Sequence, residues 1–309
     1  MILYILGNGF DIAHGLPTSY KYFDQFMERE HPYKKEYYEK NYEDPDKLWS
    51  DFENQLTKID FNYLLEGISD SMRELGENPP IDCGEGSWLY DKIFKGMPSA
   101  DGLKNYFSEW CSTIEITGKT CGRLFKLTNR DIYLNFNYTS VLEDIYKIKE
   151  SRILHIHGYV RDGEVWDGII VGHSEERFNY DDHRWVPEEE DYEDPNNLRY
   201  LICDETQIPM IAAVCDYCNS LNKKIPERLK QLKSFLDGKD ISAIRVFGHS
   251  MGPADIPYFK AIQKYAGAHV PWEIALFDNS ASSRARIEAI FEEPGKIRFI
   301  DSGMVSYRR

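Results

Sequence analysis

Met1-Ile2-Leu3-Tyr4-Ile5-Leu6-Gly7-Asn8-Gly9-Phe10-Asp11-Ile12-Ala13-His14-Gly15-Leu16-Pro17 opens the chain, and its reading decides the fold. Residues 2–6 are apolar at every position, the pattern of a strand buried on both faces. They lack a basic leader and run straight into Gly-Asn-Gly, so they read as a strand and not as a signal peptide. Gly7-Asn8-Gly9 breaks the strand. A short helix is predicted from Phe10 to His14, then a loop, Gly15-Leu16-Pro17-Thr18-Ser19, in which Thr18 or Ser19 caps the next helix. A strand, a Gly-x-Gly turn and a helix start aim backbone N–H groups and a positive dipole end at an anion. Glycine is needed there because a Cβ blocks close approach. The turn thus reads as a pyrophosphate cradle, and equally as a bare structural turn, since only two glycines fall at dinucleotide-binding spacing.

Outward from this stretch, residues 20–126 read as mostly helical. Trp49, Phe52 and Leu56, and again Leu103, Tyr106, Phe107 and Trp110, recur at helical spacing and read as core stripes. Asn78-Pro79-Pro80 through Gly84-Glu85-Gly86 marks a loop. Strands return at 131–135 and 153–156 with a helix at 140–149 between them, a unit that favours parallel pairing. Residues 165–171 read as a further strand. Residues 208–236 read as helix, 241–247 as strand, 255–266 as helix, 272–277 as strand, 282–291 as helix and 296–300 as strand. Such alternation predicts an α/β fold with a doubly wound, mostly parallel sheet.

The formal net charge of -15 argues against a nucleic-acid groove or an anionic membrane surface as the main partner. Much of it is local: Glu175 to Asp194 holds ten acidic residues against Arg177 and Arg184, a solvated loop by composition. No window is apolar enough to span a membrane. Of six cysteines, Cys215 and Cys218 form one CxxC pair, while Cys83, Cys111, Cys121 and Cys203 are scattered. This is neither a disulfide framework nor a paired zinc site, and free thiols in a reducing cytoplasm are expected. Asp11, His14, His155 and His173 lack metal-ligand spacing, and no metal is predicted. His155 and His157, two apart on one strand, are expected to face the same side.

Gly7-Asn8-Gly9 followed by Gly15-Leu16-Pro17 resembles the NAD loop of sirtuins, Gly-Ala-Gly then Gly-Ile-Pro at the same spacing. The form seen here, GNGFDIAHGLPTSY, is also similar to the opening of the bacteriophage abortive-infection AbiH family. That resemblance continues through Trp49-Ser50-Asp51-Phe52-Glu53, Phe136-Asn137-Tyr138-Thr139, His155-Ile156-His157-Gly158 and Phe247-Gly248-His249-Ser250, covering nearly the whole chain. It implies a sirtuin-like Rossmann core over residues 1–20 and 127–309, with a helical insertion over 21–126 and an acidic loop over 172–200. It implies NAD as ligand or substrate, held by Gly7, Asn8, Gly9, Phe10, Asp11, Gly15 and Pro17 and by Gly248, His249 and Ser250. Asp278 and Asn279 stand where the family reaches the adenosine ribose. Asn137 matches the asparagine that orients ribose and water, and His157 the catalytic base. Cleavage of the nicotinamide–ribose bond passes through an oxocarbenium-like state, which suits a histidine base and an uncharged water-orienting amide.

The departures from the sirtuin pattern are equally specific. Asp11 replaces a serine and is unfavourable beside a pyrophosphate unless it caps, meets ribose hydroxyls or meets a metal. Thr18-Ser19-Tyr20 stands where Asp-Phe-Arg is expected, Thr139 replaces an aspartate, and the four-cysteine zinc module is missing. These differences point away from protein deacylation and toward NAD hydrolysis or another nucleotide, in a cytoplasmic phage-defence effector. The alternative is a non-catalytic nucleotide sensor. A homo-oligomer and a separate defence-system partner both stay open. A competing motif, Gly248-His249-Ser250-Met251-Gly252, matches the nucleophile elbow of α/β-hydrolases with Ser250 as nucleophile. The one downstream histidine is His269, with Asp255 as the acid before it, and so short a separation supplies two strand-end loops poorly.

Overall fold

A computed structural model describes residues 1–60, 63, 90–91, 94–95, 100–117, 122, 124–174, 204–267, 269–276, 280–291 and 296–301. The loop at 78–86, the acidic stretch at 175–194, Cys83, Cys121 and Cys203, and Asp278 and Asn279 lie outside them.

The strands are β1 (Ile2–Leu6), β2 (Ile132–Asn135), β3 (Ile153–His155), β4 (Tyr159–Arg161), β5 (Glu164–Trp166), β6 (Ala243–Phe247), β7 (Trp272–Leu276) and β8 (Ile297–Asp301). The helices are α1 (Asn8–Ala13), α2 (Tyr20–Glu30), α3 (Pro32–Lys40), α4 (Pro45–Ser50), α5 (Phe52–Gln55), α6 (Ala100–Ser112), α7 (Val141–Asp144), α8 (Asp204–Ser220), α9 (Ile225–Leu236), α10 (Ile256–Ala266) and α11 (Ala281–Glu288). By contacts the chain forms two compact units. One comprises Met1–Phe23, Tyr106–Ser174 and Lys223–Arg309, the other Asp24–Asn105 and Glu175–Asn222.

The first unit is a six-stranded sheet in the order β3-β2-β1-β6-β7-β8, every pair parallel. Counted among the sheet's own strands, that is 3-2-1-4-5-6, the order of dinucleotide-binding α/β sheets. Strand alternation splits the core between the two faces. Leu3 and Ile5 of β1 join Ile132, Leu134, Ile244, Val246 and Ile274 in one cluster, packed by residues of α9 and α10. Tyr4 and Leu6 join Phe10, Tyr133, Phe125, Tyr146 and Phe247 in a second. Each fully buried aliphatic side chain contributes about 1.5–3 kcal/mol, so these runs suffice to fix the register.

In the second unit, Lys35 reaches Asp24, Glu28 and Glu39, Trp49 donates to Glu39 at 2.8 Å, and the buried hydroxyls of Tyr42 and Tyr217 meet at 2.9 Å. These contacts tie short helices together where each alone presents too little apolar surface to be stable.

Several expected elements differ from the observed ones. The helix at 140–149 is a single turn, α7, because Lys147 adopts φ +56° and ends any continuation. The strand at 165–171 is instead the outer half of an antiparallel β4–β5 hairpin. Asp162 and Gly163, both at positive φ, form its two-residue turn, an Asp-Gly signature of hairpins with this twist. The helix at 208–236 is two helices, broken at residues 221–224, with Lys224 at φ +50°.

Candidate functional site

In open α/β sheets ligands bind beyond the carboxyl ends of the strands. At those ends here lie Gly7–Gly9 after β1, Asn135–Thr139 across the end of β2, His155–His157 after β3 and Gly248–Ser250 after β6. Asp255, in a short 3-10 turn, precedes α10, and Lys223 precedes α9.

The glycine loop is packed onto the loop after β6. Gly7 and Gly9 donate to the carbonyls of Phe247 and Gly248 at 3.1 and 2.8 Å, and Phe10 N–H returns to Gly7 at 2.8 Å. A Cβ on Gly7 falls 2.6 Å from His249 Cα, and one on Gly9 falls 2.6 Å from Gly248 Cα. Backbone-to-backbone closeness therefore explains both glycines without a ligand. Asn8 is exposed, and its side-chain oxygen accepts from Thr18 Oγ1 at 2.5 Å. Gly15, at φ +80°, ends α1: its N–H reaches Ile12 O at 2.9 Å and Leu16 N–H reaches Asp11 O at 3.1 Å. That double closure is a Schellman cap, followed by the exposed Pro17.

Three buried polar groups lie behind this loop. In the first, Thr139 Oγ1 donates to Asp11 Oδ2 at 2.6 Å, while Asp11 Oδ1 has no hydrogen-bond partner among the described residues. Burial pushes the Asp11 carboxyl up to about 7, with the Thr139 bond opposing. In the second, His155 Nε2–H donates to Glu143 Oε1 at 2.8 Å and its Nδ1 faces Asn135 Nδ2 at 3.4 Å, a tautomer inferred from these partners. Asn135 Oδ1 accepts from the backbone N–H of Asn137 at 3.2 Å, which fixes the chain just past β2.

The third group surrounds Asp255. Its carboxylate lies 3.5 Å from Lys223 Nζ, 3.4 Å from His249 Nε2 and 3.9 Å from His157 Nε2. His249 Nδ1 accepts from Met251 N–H at 2.8 Å, and Phe136 packs edge-on against both imidazoles. Burial holds His157 well below the ordinary imidazole value, with Lys223, His249 and Arg228 pushing the same way and Asp255 opposing. Burial brings His249 down to about 4. Burial alone raises the Asp255 carboxyl, but Lys223 and the two imidazoles outweigh it and keep it below its usual value. Both histidines are therefore neutral at pH 7 and can accept a proton.

His155 and His157 do not share a face, contrary to expectation, because β3 stops at His155. Residues 156–157 form a turn, closed by Gly158 N–H on His155 O at 3.3 Å, and Gly158 follows at φ +73°. His14 is a satisfied core histidine, with Nδ1–H on Phe10 O and Nε2 receiving Tyr146 OH, both at 2.7 Å. Phe10 is core as well. Ser250 is exposed, its carbonyl accepts from Arg286 at 2.8 Å, and the left-handed residue of that turn is Met251 rather than the serine. Among the described residues, no group of three or more His, Cys, Asp or Glu is placed to hold a metal ion. No helix there is long and apolar enough to cross a membrane. Sequence reasoning missed Lys223, Thr139 as the Asp11 partner and Glu143. Asp255 carried the one signal within reach, an acid placed at the helix start after the β6 loop.

Compared with family models, residues 3–275 match that of bacteriophage abortive infection AbiH. The chain is an AbiH protein. A part in bacteriophage abortive infection follows from that membership. No curated protein and no solved structure matches it. In this AbiH protein the matched span contains the glycine loop, Asn137, His157, His249, Asp255 and Lys223, so the family model covers every residue of the buried groups.

Proposed function

We propose that this AbiH protein is an abortive-infection effector that binds NAD at the carboxyl edge of its sheet and hydrolyses the nicotinamide–ribose bond. One observation carries the reading: among the described residues Asn137 Nδ2 and His157 Nε2, just beyond adjacent strand ends, are buried polar atoms without a hydrogen-bond partner, with Asp11 Oδ1 a third. Orphaned buried polar atoms cost about 1–3 kcal/mol each and concentrate where a ligand completes the bonding. The 3-2-1-4-5-6 strand order supports a dinucleotide as that ligand.

In this reading Asn137 orients the ribose and the attacking water, and His157 Nε2 takes the proton of that water. The oxygen bonds to C1′, the C1′–N bond breaks, and its electron pair returns to the ring of departing neutral nicotinamide. Asp11, protonated near neutral pH, donates to or accepts from ribose hydroxyls without placing a full charge beside the pyrophosphate. With the Gly7 and Gly9 amides spent on the carbonyls of Phe247 and Gly248, the phosphates lie over the outer rim of the loop, at Asn8.

The test is incubation of purified protein with NAD, following nicotinamide and ADP-ribose by chromatography. Release that is lost in Asn137→Ala and His157→Ala supports the reading, and release that survives both overturns the site. The burial of Asn137 and His157, 4 % and 3 % exposed, favours a second reading, a nucleotide sensor that does not cleave. Thermal stabilisation by NAD without turnover selects it.

A further inference from the structure

Lys223 is a fully buried cation in a part of the chain with no catalytic motif. A buried ammonium is tolerated only beside a counter-charge. Its N–H is held by His173 O at 2.9 Å and its side chain reaches Asp255, while the next residue, Lys224, is forced to φ +50°. A left-handed backbone on a non-glycine residue costs about 1–2 kcal/mol, so the fold carries strain to put this lysine where it is. Met251, at φ +54°, carries the same strain on the opposite side of the cluster, where its N–H fixes His249. With Nδ1 accepting that N–H, neutral His249 must carry its proton on Nε2, facing Asp255.

The cluster is one carboxylate with three neighbours able to take it: an ammonium and two imidazoles. Without the ammonium, the negative charge of the carboxylate would favour the protonated form of an adjacent imidazole, as any opposite charge at this distance does. We propose that Lys223 is a positioning residue that occupies Asp255 and withholds its charge from His157 and His249, so that His157 stays a competent base. Among the described residues, the charged and titratable groups facing His157 are Lys223, Asp255, His249 and Arg228. Arg228 is engaged by Asp167 and Gln231, which leaves Lys223 as the cation on the carboxylate itself. The proposal gives the base of the hydrolytic reading its protonation state and rests on that reading for its use, but not for its test.

The test is a histidine titration by NMR on the full chain labelled with 15N in histidine, which needs no substrate. Lys223→Met is expected to raise the proton affinity of His157 or His249 at least tenfold. Lys223→Arg, which keeps the charge, holds both within threefold of wild type. Lys223→Met/Asp255→Asn removes the pair as a unit and also leaves both within threefold. That double variant guards against misfolding, because removing both partners of a buried pair is far milder than removing one. Unchanged titration in Lys223→Met overturns the proposal, as does a tenfold rise in the double variant. Failure of the wild type to cleave NAD counts against the hydrolytic reading alone and leaves this result standing.

Discussion

Gly248→Ala tests the claim that the glycine loop is locked to the loop after β6. Gly248 sits at φ +67°, and a Cβ there falls 2.3 Å from Phe10 N and 2.5 Å from the Gly9 carbonyl carbon, both backbone atoms that cannot rotate away. The left-handed penalty is about 1–2 kcal/mol. Forcing the two backbones apart costs about 1–3 kcal/mol. Losing the Gly9 N–H to Gly248 O bond costs about 1 kcal/mol more. Together these make a loss of roughly 3–6 kcal/mol, seen as a lower urea midpoint at unchanged slope. The melting temperature falls by about 6–15 °C for a chain of this size. The control is Gly163→Ala, at φ +79° with nothing near its Cβ, which costs only the conformational penalty of about 1 kcal/mol. Equal losses for the two variants would refute the packing argument and return Gly7 and Gly9 to a role in holding phosphate.

Asp11→Asn tests the buried carboxyl by pH. Its folded value, about 7, lies above the ordinary 3.8, so its contribution to stability is whole below about pH 4 and is lost as pH rises through 7. The variant is therefore expected to gain on wild type from pH 5 to pH 8 by about 2.5 kcal/mol in urea unfolding, and a constant difference contradicts the burial effect. His249 slopes the other way: its folded value near 4 lies below the ordinary 6.5, so stability rises with pH between them. The wild-type profile is flattened by the two together, and Asp11→Asn uncovers the rising limb. Glu143→Ala strips His155 of its buried partner and is expected to cost about 1–3 kcal/mol, with Glu143→Gln costing less. Fluorophosphonate labelling followed by mass spectrometry is expected to leave Ser250 unmodified, and a covalent adduct there would revive the hydrolase reading.

The unbroken apolar run at 2–6, and the stretches at 243–247 and 272–276 that are apolar but for Arg245 and Glu273, made the parallel sheet legible as strands buried largely on both faces. Asn137 and His157 were legible in the sequence by their resemblance to sirtuin residues, and they lie just beyond the ends of β2 and β3. The helix at 140–149 was not, since its end depends on Lys147 entering a left-handed conformation that no apolar pattern encodes. Asp162-Gly163 carries the hairpin signal in its own residue types, while the apolar residues beyond it favour a longer strand that does not form. Lys223 was hidden by its setting: Asn222-Lys223-Lys224 reads as a solvated turn, and only the packing before α9 buries one of the two lysines. Gly15 and Pro17 were read as ligand loop, whereas the helix end they form accounts for both.

Whether the orphaned atoms at the carboxyl edge belong to a nucleotide site is answered most directly by isothermal titration of NAD into His157→Ala, a variant expected to bind but not to cleave. The account predicts saturable binding at one site per chain, weakened at least tenfold when Asn137→Ala is added. Absence of binding at millimolar NAD, or binding indifferent to Asn137, would contradict it.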